Sequence, residues 1–70
     1  MKEVKAIIPG TILDVLVKKG DKVTFEQPVL ILEAMKMNNR IQAEYVGTVK
    51  KIHVKVGERV PKNFVMMEIE

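Results

Sequence analysis

The stretch Glu33-Ala34-Met35-Lys36-Met37-Asn38-Asn39 separates two halves of the chain that are near-copies of each other. Sliding the sequence along itself by 37 positions places Ala6 on Ala43, Gly10 on Gly47, Thr11 on Thr48, Val17 on Val54, Lys18 on Lys55, Gly20 on Gly57, Val23 on Val60 and Glu33 on Glu70. These eight identities fall within 30 gapless pairs, from 4/41 to 33/70, and conservative pairs such as Val4/Ile41, Val15/Ile52 and Leu32/Ile69 add to them. Two copies of so long a period are too few for a solenoid, which needs about three or more repeats to bury a continuous core. The expectation is one domain over residues 1–70, made of the repeats 4–33 and 41–70. Only residues 34–40 have no counterpart, and Lys36 lies among them.

Composition narrows the class. Val and Ile together number 18, against 7 for Leu and Ala, and β-branched side chains fit a pleated surface better than a helix. An all-β fold follows. At 70 residues the chain buries only about 60% of its unfolded surface, so its stability is expected to be modest. Without cysteine, neither a disulfide nor a thiolate zinc site supplements that core. No apolar run approaches the roughly 20 residues that span a bilayer, and Met1-Lys2-Glu3 lacks the apolar segment of a signal peptide. A soluble, cytoplasmic domain with no membrane insertion is expected. The 12 Lys and Arg against 9 Asp and Glu give a net charge of +3, but the signs are interspersed, as on a solvated surface and unlike a nucleic-acid-binding stripe.

Alternation assigns the faces of the strands. Val4, Ala6 and Ile8 share the inward parity with Ile41, Ala43 and Tyr45 of the other repeat, while Lys5 and Ile7 fall outward with Gln42 and Glu44. Gly10 and Gly47 mark either a turn or a close backbone approach at matching places. A second strand in each half points Val15 and Val17, or Ile52 and Val54, toward the core. Its other face carries Asp14, Leu16 and Lys18, or Lys51, His53 and Lys55, so His53, the single histidine, reads as an exposed strand residue. Lys19-Gly20-Asp21 and Val56-Gly57-Glu58 read as turns with positive φ at glycine, followed by inward Val23 and Val60. The last strands are Val29–Glu33 and Met66–Glu70, with Leu30, Leu32, Met67 and Ile69 inward and Ile31, Glu33, Glu68 and Glu70 outward. Neither half buries its own face, so the two pack as a flattened barrel or two-layer sandwich with pseudo-twofold symmetry.

The joining segment then decides the function. Glu33 to Met37 are good helix formers, but five residues are too few for a stable helix. Asn38-Asn39 tolerates positive φ, so a hairpin closing near Lys36 to Asn39 is expected, entered by Val29–Glu33 and left by Ile41–Tyr45. Lys36 is either an ordinary surface lysine or a modification or docking site. Its neighbours Met35 and Met37 cannot reach a core from a hairpin tip, and flexible thioethers suit a surface gripped by a partner.

Ala34-Met35-Lys36-Met37 resembles the attachment motif of biotin carboxyl carrier domains. Glu33 before it, Asn39 after it, Pro9-Gly10-Thr11 and Lys19-Gly20-Asp21-Lys22-Val23 are also similar to that family, over essentially the whole chain. The resemblance implies a barrel-sandwich hybrid of two four-stranded antiparallel sheets, with biotin in amide linkage to Lys36 on a hairpin tip. It implies a non-catalytic carrier. A biotin protein ligase would join biotin to the neutral Lys36 amine, recognising Glu33, Ala34, Met35 and Met37. The ureido group of the loaded biotin would carry carboxylate between biotin carboxylase and carboxyltransferase or decarboxylase subunits. Departures from the family pattern are Glu26-Gln27 and Asn63-Phe64 where Gly-Gln is usual, Ile8-Pro9 for Met-Pro, and Arg40 where an acid is frequent. The third turn of each half must therefore form without glycine, more readily at Asn63 than at Glu26.

Three rivals are less well matched, one of them an unmodified hybrid-barrel module of a transport adaptor, against which the complete motif stands. A lipoyl domain shares the fold and the lysine, although it usually places an acid before the lysine and a small residue after it. A small basic β-barrel binding RNA would need an aromatic platform, and only Phe25, Tyr45 and Phe64 are available.

Overall fold

The computed structural model describes residues 2–70. Eight strands form in chain order: β1 (Lys2–Lys5), β2 (Gly10–Val15), β3 (Lys22–Val23), β4 (Pro28–Ala34), β5 (Met37–Gln42), β6 (Gly47–Ile52), β7 (Arg59–Val60) and β8 (Val65–Ile69). They assemble into two four-stranded sheets, β1-β8-β6-β3 and β5-β4-β2-β7, with every pair antiparallel. β2 and β6, and likewise β3 and β7, start and end 37 positions apart, and each takes the same place in its own sheet. The structure is thus the flattened, pseudo-twofold barrel that the repeat implies.

The hydrogen bonds outside the strands repeat with the same offset. Leu16 N donates to Val29 O at 2.9 Å, and His53 N to Met66 O at 2.9 Å. Ala43 N donates to Gln27 O and Glu26 N to Ala43 O, while Ala6 N donates to Phe64 O and Asn63 N to Ala6 O. Each half therefore ties its third turn to the residue that follows the other half's first strand, Ala6 after β1 and Ala43 after β5. Those turns carry positive φ at Glu26 (70°) and Asn63 (71°), so the left-handed position is held even by glutamate. Gly20 and Gly57 take φ of 95° and 92°, as expected.

The core lies between the sheets and includes Ile12, Leu30, Leu32, Val49, Met67 and Ile69, all fully buried, with Val23 and Val60 closing it. Four register shifts modify simple alternation. Leu13 in β2 and Lys50 in β6 are extra residues opposite one partner, and so are Val29 in β4 and Met66 in β8. These bulges also lie 37 positions apart. A bulge re-aims the side chains beside it, which corrects the outward parity implied for Val29 and Met66: both are buried, next to buried Leu30 and Met67.

Three other expectations are decided or adjusted. β1 ends at Lys5, and β2 begins at Gly10 itself, so Gly10 marks a close backbone approach and not a turn. Tyr45 is half-buried, with Lys2 Nζ 4.8 Å from its ring centroid. His53 follows the end of β6, is exposed, and makes a 2.6 Å hydrogen bond from Nε2 to Oε2 of Glu68. That bond, the largest influence, together with the charges of His53 and Lys51, holds the Glu68 carboxyl below the ordinary glutamate range against a smaller opposing effect of burial.

Candidate functional site

The turn that joins the two halves is made by Met35 and Lys36 alone. Ala34 and Met37 face each other as the last pair of the β4–β5 ladder, which continues through Glu33/Asn38, Leu32/Asn39 and Ile31/Arg40. Both turn residues are left-handed, with φ of 53° at Met35 and 64° at Lys36. A two-residue loop with positive φ at both positions has the twist that antiparallel strands require, but it ordinarily takes Asn-Gly or Gly-Gly. Each non-glycine residue there costs about 1–2 kcal/mol of local strain. The ladder on either side must supply that energy.

This placement corrects the expected closure over Lys36 to Asn39. Asn38 and Asn39 belong to β5, and Asn39 braces the hairpin from inside it: Nδ2 donates to the carbonyl oxygens of Met37 at 3.1 Å and Leu32 at 3.4 Å. The register of the ladder overrides the preference of asparagine for a turn.

The sequence-expected residues separate by depth. Lys36 is exposed at the turn, and among the described residues no acidic group pairs with its ammonium. Met35 and Met37 are 86% and 67% exposed, on either side of it. Glu33 is exposed on β4, while Ala34 is 4% exposed and sits beneath the turn. Side-chain contact with a partner is thus open to Lys36, Met35, Met37 and Glu33, whereas Ala34 acts through its small size.

A shallow polar pit of about 170 Å³ opens beside the lysine, bordered by Pro9, Thr11, Glu33, Lys36 and Arg59. Arg59 and Thr11 reach it because β7, β2 and β4 are neighbours, with Arg59 opposite Thr11 and Thr11 opposite Glu33. Sequence reasoning did not bring Arg59 to the lysine. Its only signal was the match with Lys22, which fixes a place in the repeat and not a neighbour across the sheet. A second cleft, of about 270 Å³, lies away from the turn and includes Ile7, Phe25, Arg40, Tyr45 and the acids Glu26 and Glu44. Phe64 packs against the core, so the three aromatic residues do not form one platform.

An exposed primary amine with no competing ion pair among the described residues, fixed on a strained turn between two antiparallel strands, can be acylated by an enzyme that reaches it end-on. Among the described residues no cluster of His, Asp and Glu suits a metal ion. The arrangement suits a tether whose root is rigid.

Comparisons with known proteins agree with that geometry. The model of the family described as "Biotin-requiring enzyme" matches residues 2–69. The chain is 58% identical over 55 residues to a biotin carboxyl carrier protein of Streptococcus mutans, covering 79% of this chain and 42% of that protein. It is 42% identical over 67 residues to the pyruvate carboxylase of Bacillus subtilis, covering 96% of this chain and 6% of that one. The urea carboxylase of Kluyveromyces lactis contains a similar structure, with TM-score 0.92 and 28% identity over 99% of this chain and 6% of that one. The chain spans less than half the length of these relatives.

Proposed function

Because this chain belongs to the family of biotin-requiring enzymes, we propose that it is a biotin carboxyl carrier, with biotin joined through an amide to Nζ of Lys36. The carrying observation is the two-residue turn that presents Lys36 unpaired between two exposed methionines. Biotin, when attached, supplies a ureido nitrogen that accepts and donates carboxylate. The chain itself performs no catalysis in this reading; its residues present and position.

The neutral Lys36 amine is the nucleophile toward an activated biotinyl group brought by a biotin protein ligase. Acylation removes the lysine charge, leaving the root of the tether neutral. Met35 and Met37 offer the apolar surface that the ligase grips, and Glu33 offers a charged contact from the face of β4. Buried Ala34 leaves room for the tight turn above it. The left-handed backbone fixes where the tether starts, so its reach is set by the lysine side chain and the attached group rather than by loop motion. The loaded carrier moves between the active sites of carboxylase subunits, biotin carboxylase on one side and carboxyltransferase or decarboxylase on the other. Its relatives are carboxylases or a carrier protein by name, which supports that partnership.

The test is ligase-dependent labelling. Wild type incubated with a biotin protein ligase, ATP and biotin becomes streptavidin-reactive. Lys36→Ala keeps the β-rich circular dichroism spectrum and loses that reactivity. Streptavidin reactivity persisting in the variant contradicts the assignment.

A further inference from the structure

We infer that Met35 and Met37 form an oxidation-sensitive site that governs modification of Lys36. The inference rests on the carrier reading of Lys36, but it arises from a separate observation, the distribution of sulfur. The chain has no cysteine and no tryptophan, so thioethers are its most readily oxidised side chains. Of the four methionines among the described residues, Met66 and Met67 are fully buried, whereas Met35 and Met37 are largely exposed. Among the described residues, the accessible sulfur therefore flanks one residue, Lys36. Oxidation of methionine depends on access, so a mild oxidant reaches this pair first and leaves the core intact.

The chemistry is a two-electron oxygen transfer from a peroxide. Hydrogen peroxide delivers one oxygen to the thioether sulfur; its O–O bond breaks, an S–O bond forms, and water leaves. The sulfur is oxidised and the peroxide oxygen is reduced. A dithiol-dependent methionine sulfoxide reductase reverses the step, giving the thioether, a disulfide and water. The product replaces a flexible apolar side chain with a strongly polar one at both flanks of the lysine.

A partner that closes over this turn must desolvate whatever stands at 35 and 37. A thioether is desolvated easily, while a sulfoxide left without a hydrogen-bond partner is disfavoured. Acylation of Lys36 is therefore slowed without any change at the amine itself. The buried core methionines make the effect local.

The experiment treats the unmodified domain with hydrogen peroxide, maps sulfoxides by peptide mass spectrometry, and measures the initial rate of biotin transfer by ligase. Expected are oxygen at Met35 and Met37 before Met66 and Met67, an unchanged circular dichroism spectrum, and a rate at least about tenfold lower. Treatment with the reductase restores the rate. The Met35→Leu/Met37→Leu variant, whatever its own rate, does not respond to peroxide. Equal rates before and after verified oxidation of both residues overturn the inference while leaving the carrier reading standing, and so does an equal peroxide response in the double variant. Untreated wild type that accepts no biotin at Lys36 overturns both.

Discussion

Gly10 and Glu33 meet backbone to backbone, so closely that a Cβ built on Gly10 would overlap the carbonyl oxygen of Glu33. The same relation recurs 37 positions on, where a Cβ on Gly47 would stand 2.5 Å from the carbonyl oxygen of Glu70. Neither glycine is needed for a turn. Each lets the first long strand of its half lie against the end of the last, and in the first half that end carries the lysine hairpin.

Gly10→Ala and Gly47→Ala are each expected to lower stability by about 1–3 kcal/mol through overpacking against backbone, seen as a lower urea midpoint at unchanged slope. Gly20 provides the contrast, because its φ is 95° and nothing stands near its Cβ position. Gly20→Asn recovers part of the loss seen in Gly20→Ala, since asparagine tolerates the left-handed region. Asparagine at position 10 gives no such recovery. Equal behaviour of the two sites would refute the distinction between close approach and turn.

The strain at the tip predicts that stability and function separate. Met35→Gly removes the left-handed penalty of about 1–2 kcal/mol and gives back about 0.5–1 kcal/mol through the freedom of glycine in the unfolded chain. The net expectation is a slightly raised urea midpoint together with slower ligase-catalysed labelling. A variant both less stable and slower would mean that Met35 packs into the fold.

How far the sequence carries depends on whether a residue answers to its neighbours in the chain or across the sheet. The inward parity of Leu30, Leu32, Met67 and Ile69 was legible because alternation is local and two copies speak for each position. Strict alternation would turn Val29 and Met66 outward, whereas both are buried, because a bulge adds one residue against a partner strand and nothing in either strand alone announces it. Asn38-Asn39 attracted the turn on local preference, yet the pairing of Ala34 with Met37 moved it back to Met35-Lys36. Lys36 stands out as a candidate through its lack of a counterpart and its flanking methionines, which by themselves leave a surface lysine and a modified one equally open. Arg59 beside it was not legible, because only the β7–β2–β4 order brings it there.

The bond between His53 and Glu68 predicts a pH dependence. The folded-state pKa of Glu68 lies below its ordinary value of 4.5, so folding favours the ionised carboxylate. That contribution is present above the ordinary value and is lost as pH falls through the lowered one. The thermal midpoint of wild type should exceed that of Glu68→Gln at pH 6, and the gap should narrow between pH 5 and pH 3. A gap of constant size over that range would show that the contact does not depend on the charge of Glu68.

The most direct test of the account is the mass of the intact chain after expression with a biotin protein ligase and biotin, followed by peptide mapping. The prediction is a gain of one biotinyl group, carried by the peptide containing Met35, Lys36 and Met37, and no gain in Lys36→Arg, which keeps the charge and loses the acylable amine. A biotinyl group on another lysine, a lipoyl group in its place, or an unmodified chain would contradict it.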